Sequence, residues 1–190
     1  MLPHGSSRRT FSARIASAGF LLAAFGRDRA ALAAGNDSLG GRSELAYDAG
    51  AIQQLVRLRA PPSRVYEALT VVTEFDKVVR LSGVLSEMKP DALDQNPTRI
   101  SPDVGGAFSL FAGYITGRHV EMVPAVRLVQ AWRSASWPAG CYSIARFALA
   151  ADAGGTALTF DHTGFPAGTG PHLVRGWHEH YWAPLEKYFA

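Results

Sequence analysis

Along the last stretch of the chain, Gly170 to Ala190, apolar residues recur as Leu173, Trp177, Tyr181, Leu185 and Tyr188. Steps of three and four lay them on one stripe of a helix. Trp182 and Phe189 widen the stripe, while Arg175, His178, Glu179, Glu186 and Lys187 fall largely off it. Pro171 occupies a first-turn position, where a missing N–H costs nothing. Pro184 lies inside the pattern and cannot donate to the His180 carbonyl, a loss of roughly 3 kcal/mol in an isolated helix. Burial of Leu185, Tyr188 and Phe189, at about 1.5–3 kcal/mol each, outweighs that loss. The pattern therefore predicts a bent but continuous helix. Its aromatic rings need a large apolar partner, and Gly176 beside Trp177 is expected to permit close approach to it.

The partner is written upstream in period two. Ile52, Gln54, Val56 and Leu58 fall on one side of a strand, with Leu55, Arg57 and Arg59 on the other. Ala60-Pro61-Pro62-Ser63 ends it and opens a short helix through Thr70, with Val65, Tyr66 and Leu69 facing inward. A second short helix runs from Thr73 to about Leu81, and residues 83–98, broken by Pro90 and Pro97, are loop or irregular helix. From Arg99 the alternation returns, over Ala107–Phe111, Tyr114–Val123, Val126–Ser134, Tyr142–Leu149 and Thr156–Thr163. Turn residues separate these runs: Ala112-Gly113, Pro124-Ala125, Pro138-Ala139-Gly140 and Asp152-Ala153-Gly154-Gly155. Such spacing reads as successive hairpins. Within the first run, Phe108 and Leu110 share one face, and Ser109 and Phe111 the other. The sum is an α+β domain over 48–190. A curved antiparallel sheet of about six or seven strands, with two short helices after the first, meets a long C-terminal helix. A cavity between sheet and helix is the default functional site.

Charge changes the picture only at the N-terminus. The formal net charge is +3. Residues 1–33 hold Arg8, Arg9, Arg14, Arg27 and Arg29 against the single acid Asp28, which leaves 14 basic and 15 acidic side chains in the remainder. The folded body thus carries no electrostatic footprint for nucleic acid. Ser7-Arg8-Arg9-Thr10-Phe11-Ser12 resembles a twin-arginine export signal. The apolar run Ile15–Phe25 and the small-x-small site Ala31-Leu32-Ala33 follow it in order. The competing readings are an Arg- and Ser-rich organelle transit peptide and a disordered N-terminus with chance arginines. Eleven apolar residues fall short of the about 20 that span a bilayer, so stable membrane insertion is not expected. Residues 34–47 read as a flexible linker. Cys141, the sole cysteine, excludes an internal disulfide and multi-cysteine metal sites.

The motifs carry a family resemblance. They are Ala60-Pro61-Pro62-Ser63-Arg64-Val65-Tyr66-Glu67-Ala68-Leu69-Thr70, Gly105-Gly106-Ala107-Phe108, Gly113-Tyr114-Ile115-Thr116-Gly117-Arg118 and the run from Val123-Pro124 to Ala131-Trp132. Gly155-Thr156-Ala157-Leu158-Thr159, His162-Thr163-Gly164-Phe165 and Gly176-Trp177 complete the set. In this order, over about 48–190, they resemble the activator of Hsp90 ATPase homologue 1 family of the START-like (SRPBCC) superfamily. The resemblance implies a helix-grip fold enclosing a hydrophobic cavity. The eukaryotic co-chaperones of that family add an N-terminal domain with the main ATPase-stimulating motif, and nothing here matches it. Where many members carry a tryptophan pair after the first helices, this chain has Phe75 followed by Asp76-Lys77-Val78-Val79.

Candidate chemistry is sparse. His178 and His180 are two apart, so on a helix they point about 200° from each other, and zincin-type metal binding needs i and i+4. Asp161 and His162 are neighbours on a strand and face opposite sides. No phosphate loop or nucleophile elbow occurs; no metal, cofactor or catalytic residue is expected. The candidate cavity residues are Phe108, Tyr114, Trp132, Tyr142, Phe160, His162, Phe165, Trp177 and Tyr181. His162 is expected to anchor structure rather than to react. Three functions compete: a module binding a small apolar ligand (a lipid or aromatic compound), a protein-interaction module associated with chaperones, and a small-molecule enzyme. The last would draw on Tyr114, Tyr142, Arg146, His162 or Tyr181. An open cavity favours the first, a cavity filled by its own side chains the second, and an open one with a buried His or Arg the third.

Export predicts cleavage after Ala33. Replacing Arg8 and Arg9 by lysine should trap uncleaved protein in the cytoplasm, as read by fractionation and intact mass. Mature protein outside the cytoplasm at unchanged yield would contradict it.

Overall fold

A computed structural model of the chain describes residues 44–48, 50–84, 88 and 91–190. The segment read as an export signal lies outside them. The described strands are β1 (Glu44–Asp48), β2 (Ala51–Leu58), β3 (Arg99–Ile100), β4 (Ala107–Leu110), β5 (Ile115–Val123), β6 (Arg127–Ser134), β7 (Ser143–Asp152) and β8 (Gly155–Thr163). They form one antiparallel sheet in the order β1-β2-β8-β7-β6-β5-β4-β3. Helices α1 (Pro62–Thr70) and α2 (Val72–Arg80) follow β2, and the four-residue α3 (Ala92–Gln95) sits in the irregular stretch. The sheet keeps the six runs read from the alternation and adds the two-residue β3 and β1, so that residues 44–47, read as part of a linker, are strand.

Alternation does what it predicts. Along β6 and β8 every second residue is buried, and β2 and β7 follow the same rule. Register then assembles rows across the inner face. His119, Gln130, Ala145, His162 and Ile52 stand opposite one another in turn, and beside them runs Leu128, Phe147, Phe160 and Gln54. All nine are buried. A bulge between His119 and Glu121 interrupts the β5–β6 register, a feature that bends a strand and raises its twist. Where β5 passes under Phe108, the residue is Gly117; a Cβ there would overlap the Phe108 ring and the Ala131 carbonyl.

The C-terminal helix runs without a break as α4 (Gly170–Trp177), one π-helical turn (His178–Trp182) and α5 (Ala183–Tyr188). The π turn is how the chain passes Pro184. The N–H of Ala183 reaches back five residues to the His178 carbonyl. The wider turn also brings two consecutive side chains, Tyr181 and Trp182, to the buried side with Trp177. Leu185 is buried beyond it, and Tyr188 and Phe189 pack partly against the core. Trp177 stacks on Trp182 at 5.6 Å and meets Phe160 at 4.3 Å and Phe147 at 5.8 Å. Trp182 Nε1 donates to Gln54 Oε1 on β2 at 2.6 Å, and the Tyr188 hydroxyl donates to Glu74 on α2 at 2.5 Å.

Trp177 is 2% exposed. Trp177→Ala should therefore cost about 3–5 kcal/mol, the range for emptying a buried aromatic site, measured by chemical denaturation. A midpoint equal to that of the wild type would show that the ring does not hold the helix.

Candidate functional site

The helix covers β2, β7 and β8 closely but leaves a gap over the other half of the sheet. The gap is a cavity of about 800 Å³. Its helix side is Thr169, His172, Leu173, Gly176, Trp177, His180 and Tyr181. Its sheet side is Phe111–Ile115 with Trp132 and Ser134–Trp137, and Val84, Met88 and Ala92 close a third side.

Two local features keep it open. Gly176 faces the cavity, and a Cβ built there would meet nothing nearer than His180 Cδ2 at 3.9 Å. The glycine expected to permit close approach instead leaves space. On the sheet side, Phe111, Ala112 and Gly113 take φ of 51, 55 and 84° in succession. Left-handed backbone costs a non-glycine residue roughly 1–2 kcal/mol, so packing must hold Phe111 there. Its ring contacts Phe75 at 5.6 Å and Tyr181 at 5.4 Å. This turn also revises the alternation: Phe111 does not face away from Phe108 and Leu110 but folds back inside, 4% exposed.

Of the nine candidate residues, the fold brings Tyr114, Trp132, Trp177 and Tyr181 to the cavity wall, with Tyr114 half-exposed at its edge. Phe108, Phe160 and Phe165 are buried elsewhere in the core, because their strand or loop positions are covered by other rings. Tyr142 is 53% exposed and away from the cavity; it precedes β7 on the outward side. Arg146, weighed for catalysis, lies outside on β7 and pairs with Asp161 at 3.0 Å. His178 is exposed, whereas His180 is half-buried on the cavity wall. The residues that sequence reasoning missed, among them Phe111, Ala135, Ser136, Trp137 and His172, sit mainly in turns, where no periodicity reports which way a side chain faces. The large Trp137 between two turn clusters was the available signal.

His162 lies behind the wall, fully buried. Trp177 Nε1 donates to its Nδ1 at 2.9 Å, and Ser143 Oγ lies 2.6 Å from its Nε2. An indole nitrogen can only donate, so Nδ1 carries no proton and Nε2–H donates to Ser143. The Ser143 hydroxyl in turn donates to the Trp132 carbonyl at 3.1 Å. This relay runs from helix to sheet in one direction and requires a neutral imidazole. Burial accordingly lowers the His162 pKa to about 3. A histidine locked this way braces the cavity and has no free nitrogen for catalysis. Burial also lowers the pKa of His119 and raises that of Tyr181. For Tyr181 the nearby Trp132 indole N–H offsets a little of the rise, although the pair falls short of hydrogen-bond geometry.

Residues 59–190 match the family model described as "Activator of Hsp90 ATPase homolog 1-like protein". The human Activator of 90 kDa heat shock protein ATPase homolog 1 is 24% identical over 135 residues, 71% of this chain and 39% of that protein. The chain thus spans about two fifths of the length of that curated relative. Among solved structures, an HSP90 activator from Plasmodium falciparum aligns with a TM-score of 0.60 at 21% identity, covering 73% of this chain and 95% of that one. CalU16 from Micromonospora echinospora aligns with a TM-score of 0.59 at 19% identity, over 78% and 86% of the two chains. At these identities the structures show a shared fold.

The His162 relay sets a pH dependence. Unfolded, the imidazole titrates near 6.5; folded, at about 3. Between those values only the unfolded chain binds the proton, so stability present above pH 6.5 is lost as pH falls toward 3. The slope is about 1.4 kcal/mol per pH unit for one group, with His119 adding in the same direction. Urea denaturation from pH 7 to 4 should show this slope, and His162→Gln should reduce it by one proton. An unchanged slope in the variant would contradict the assignment.

Proposed function

Since the chain belongs to the activator of Hsp90 ATPase homologue 1-like family, and its helix-grip fold leaves a cavity unfilled, we propose that it is a non-catalytic carrier of a small hydrophobic ligand. The observation that carries this reading is the cavity of about 800 Å³ walled by Phe111, Trp132, Trp137, Trp177 and Tyr181. Small-molecule sites typically occupy ~300–1,000 Å³ with mostly apolar walls and few polar groups. Aromatic walls suit a lipid chain or an aromatic compound, and among the described residues no Lys or Arg contributes to the lining. His162, buried behind the wall, is occupied at both nitrogens and so offers the cavity neither acid nor base. The reading extends to location. Arg8-Arg9, Ile15–Phe25 and Ala31-Leu32-Ala33 support delivery outside the cytoplasm by the twin-arginine route.

A second reading is favoured by the relatives whose names record activation of the 90 kDa heat shock protein ATPase. In it, this domain docks on an Hsp90-type chaperone and the cavity is incidental. Export would separate it from a cytosolic chaperone. Stimulation of Hsp90 ATP hydrolysis by the purified chain would support the second reading over the first.

The first reading is tested at Gly176. Gly176→Leu projects a side chain into the cavity while removing a helical glycine, which is worth about 1 kcal/mol of helix propensity. The variant should be at least as stable as the wild type. Native mass spectrometry of protein from its natural host should show a retained small molecule on the wild type and none on the variant. Equal retention by both, or none by either, would overturn the proposal.

A further inference from the structure

Among the described residues, three that wall the cavity each hold a polar atom that is shielded from solvent and has no hydrogen-bond partner. These are Oη of Tyr181, Nε1 of Trp132 and Nδ1 of His180. Comparable atoms of the C-terminal helix that turn away from the cavity are paired. Trp177 Nε1 bonds His162, Trp182 Nε1 bonds Gln54, and the Tyr188 hydroxyl bonds Glu74. Tyr181 is 6% exposed and Trp132 4%. A buried donor without a partner costs the desolvation of that group and gains nothing in return. Closing the short gap between the Trp132 N–H and the Tyr181 oxygen would not cure this, because the hydroxyl's own proton would still lack an acceptor.

What is missing is therefore an acceptor, and its charge can be argued as well. Among the described residues, no Lys or Arg lines the cavity. An ionised carboxylate placed there would lie among aromatic walls with no Lys or Arg of the described residues beside it, which is unfavourable. A neutral oxygen carries no such penalty. Resting on the reading of the cavity as a binding site, we propose that its ligand is an uncharged aromatic or alicyclic carbonyl compound. Its C=O oxygen accepts a hydrogen bond from the Tyr181 hydroxyl, with the Trp132 indole N–H as second donor. Tyr181 and Trp132 thereby set specificity, and the surrounding rings hold the apolar body. Sites built to hydrogen-bond a polar group discriminate strongly against analogues that lack it, because the donors are then left buried and unpaired.

Three probes of similar size separate the cases: benzophenone, which has a neutral carbonyl; diphenylmethane, which has none; and diphenylacetate, which is charged. Isothermal titration of the full chain should give benzophenone the tightest binding, about tenfold tighter than diphenylmethane, the worth of one net hydrogen bond. Diphenylacetate should be the weakest. Tyr181→Phe removes only the unpartnered oxygen, so the variant should fold with unchanged or higher thermal stability. It should bind diphenylmethane as the wild type does and lose most of the preference for benzophenone. Equal binding of benzophenone and diphenylmethane by the wild type would overturn the acceptor inference and leave the cavity a ligand site. Tightest binding of diphenylacetate would overturn its neutrality. If no probe binds but native mass spectrometry finds a retained ligand, this inference alone falls; if neither is seen, the ligand-carrier reading falls with it.

Discussion

The structure depends on where Trp177 sits. Its ring lies against Phe160, Trp132 and Trp182, and its one polar atom is spent on His162 in the middle of the sheet. Aromatic pairs of this kind contribute about 0.5–1.5 kcal/mol each beyond the area they bury. The hydrogen bond adds direction: it fixes the helix in rotation and in height along β8. The relay through His162 and Ser143 to the Trp132 carbonyl then ties that choice to β6 and β7. A helix pinned there cannot also close over β4 and β5, and the cavity is what remains.

Holding that space open has a cost, met by packing nearby. Phe111 and Ala112 stay in left-handed backbone because the Phe111 ring is clamped by Phe75 and Tyr181. The π turn has a similar logic. Pro184 cannot donate, the helix widens by one residue, and Tyr181 and Trp182 are carried to the inner side together. Trp182 finds Gln54 on the sheet, while Tyr181 arrives at the cavity wall with its hydroxyl unpartnered. Strained backbone and unsatisfied polar groups gather where a protein has something to bind. Here strained backbone at Phe111 and Ala112 and the unpartnered Tyr181 hydroxyl border the same cavity.

Family membership sets the fold without choosing among the functions that fold can host. The chain spans 39% of the human relative, whose name describes an ATPase activator. The choice between carrier and co-chaperone therefore rests on the site. The proposed carrier role would use both the aromatic-walled cavity and the room left at Gly176.

Periodicity alone determined most of the architecture. The β5, β6, β7 and β8 segments, the two short helices after β2 and the C-terminal stripe were legible, because a half-buried strand or helix must alternate with its own geometric period. Continuity past Pro184 was legible too, since burial of Leu185 together with the packing of Tyr188 and Phe189 outweighs one lost hydrogen bond. Tertiary structure decided the rest. Periodicity reports which residues face inward, but not whether an inward side chain meets another side chain or empty space. Phe108, Phe160 and Phe165 face inward and are core, whereas Trp132 and Tyr181 face inward and wall a cavity. Phe111, Trp137 and His172 belong to turns or to the first turn of a helix, where direction is set by local φ and by the helix docking above. The π turn depends on a choice of hydrogen-bond partner five residues back. Each of these is settled by contacts between segments far apart in the chain, and no local pattern encodes such contacts.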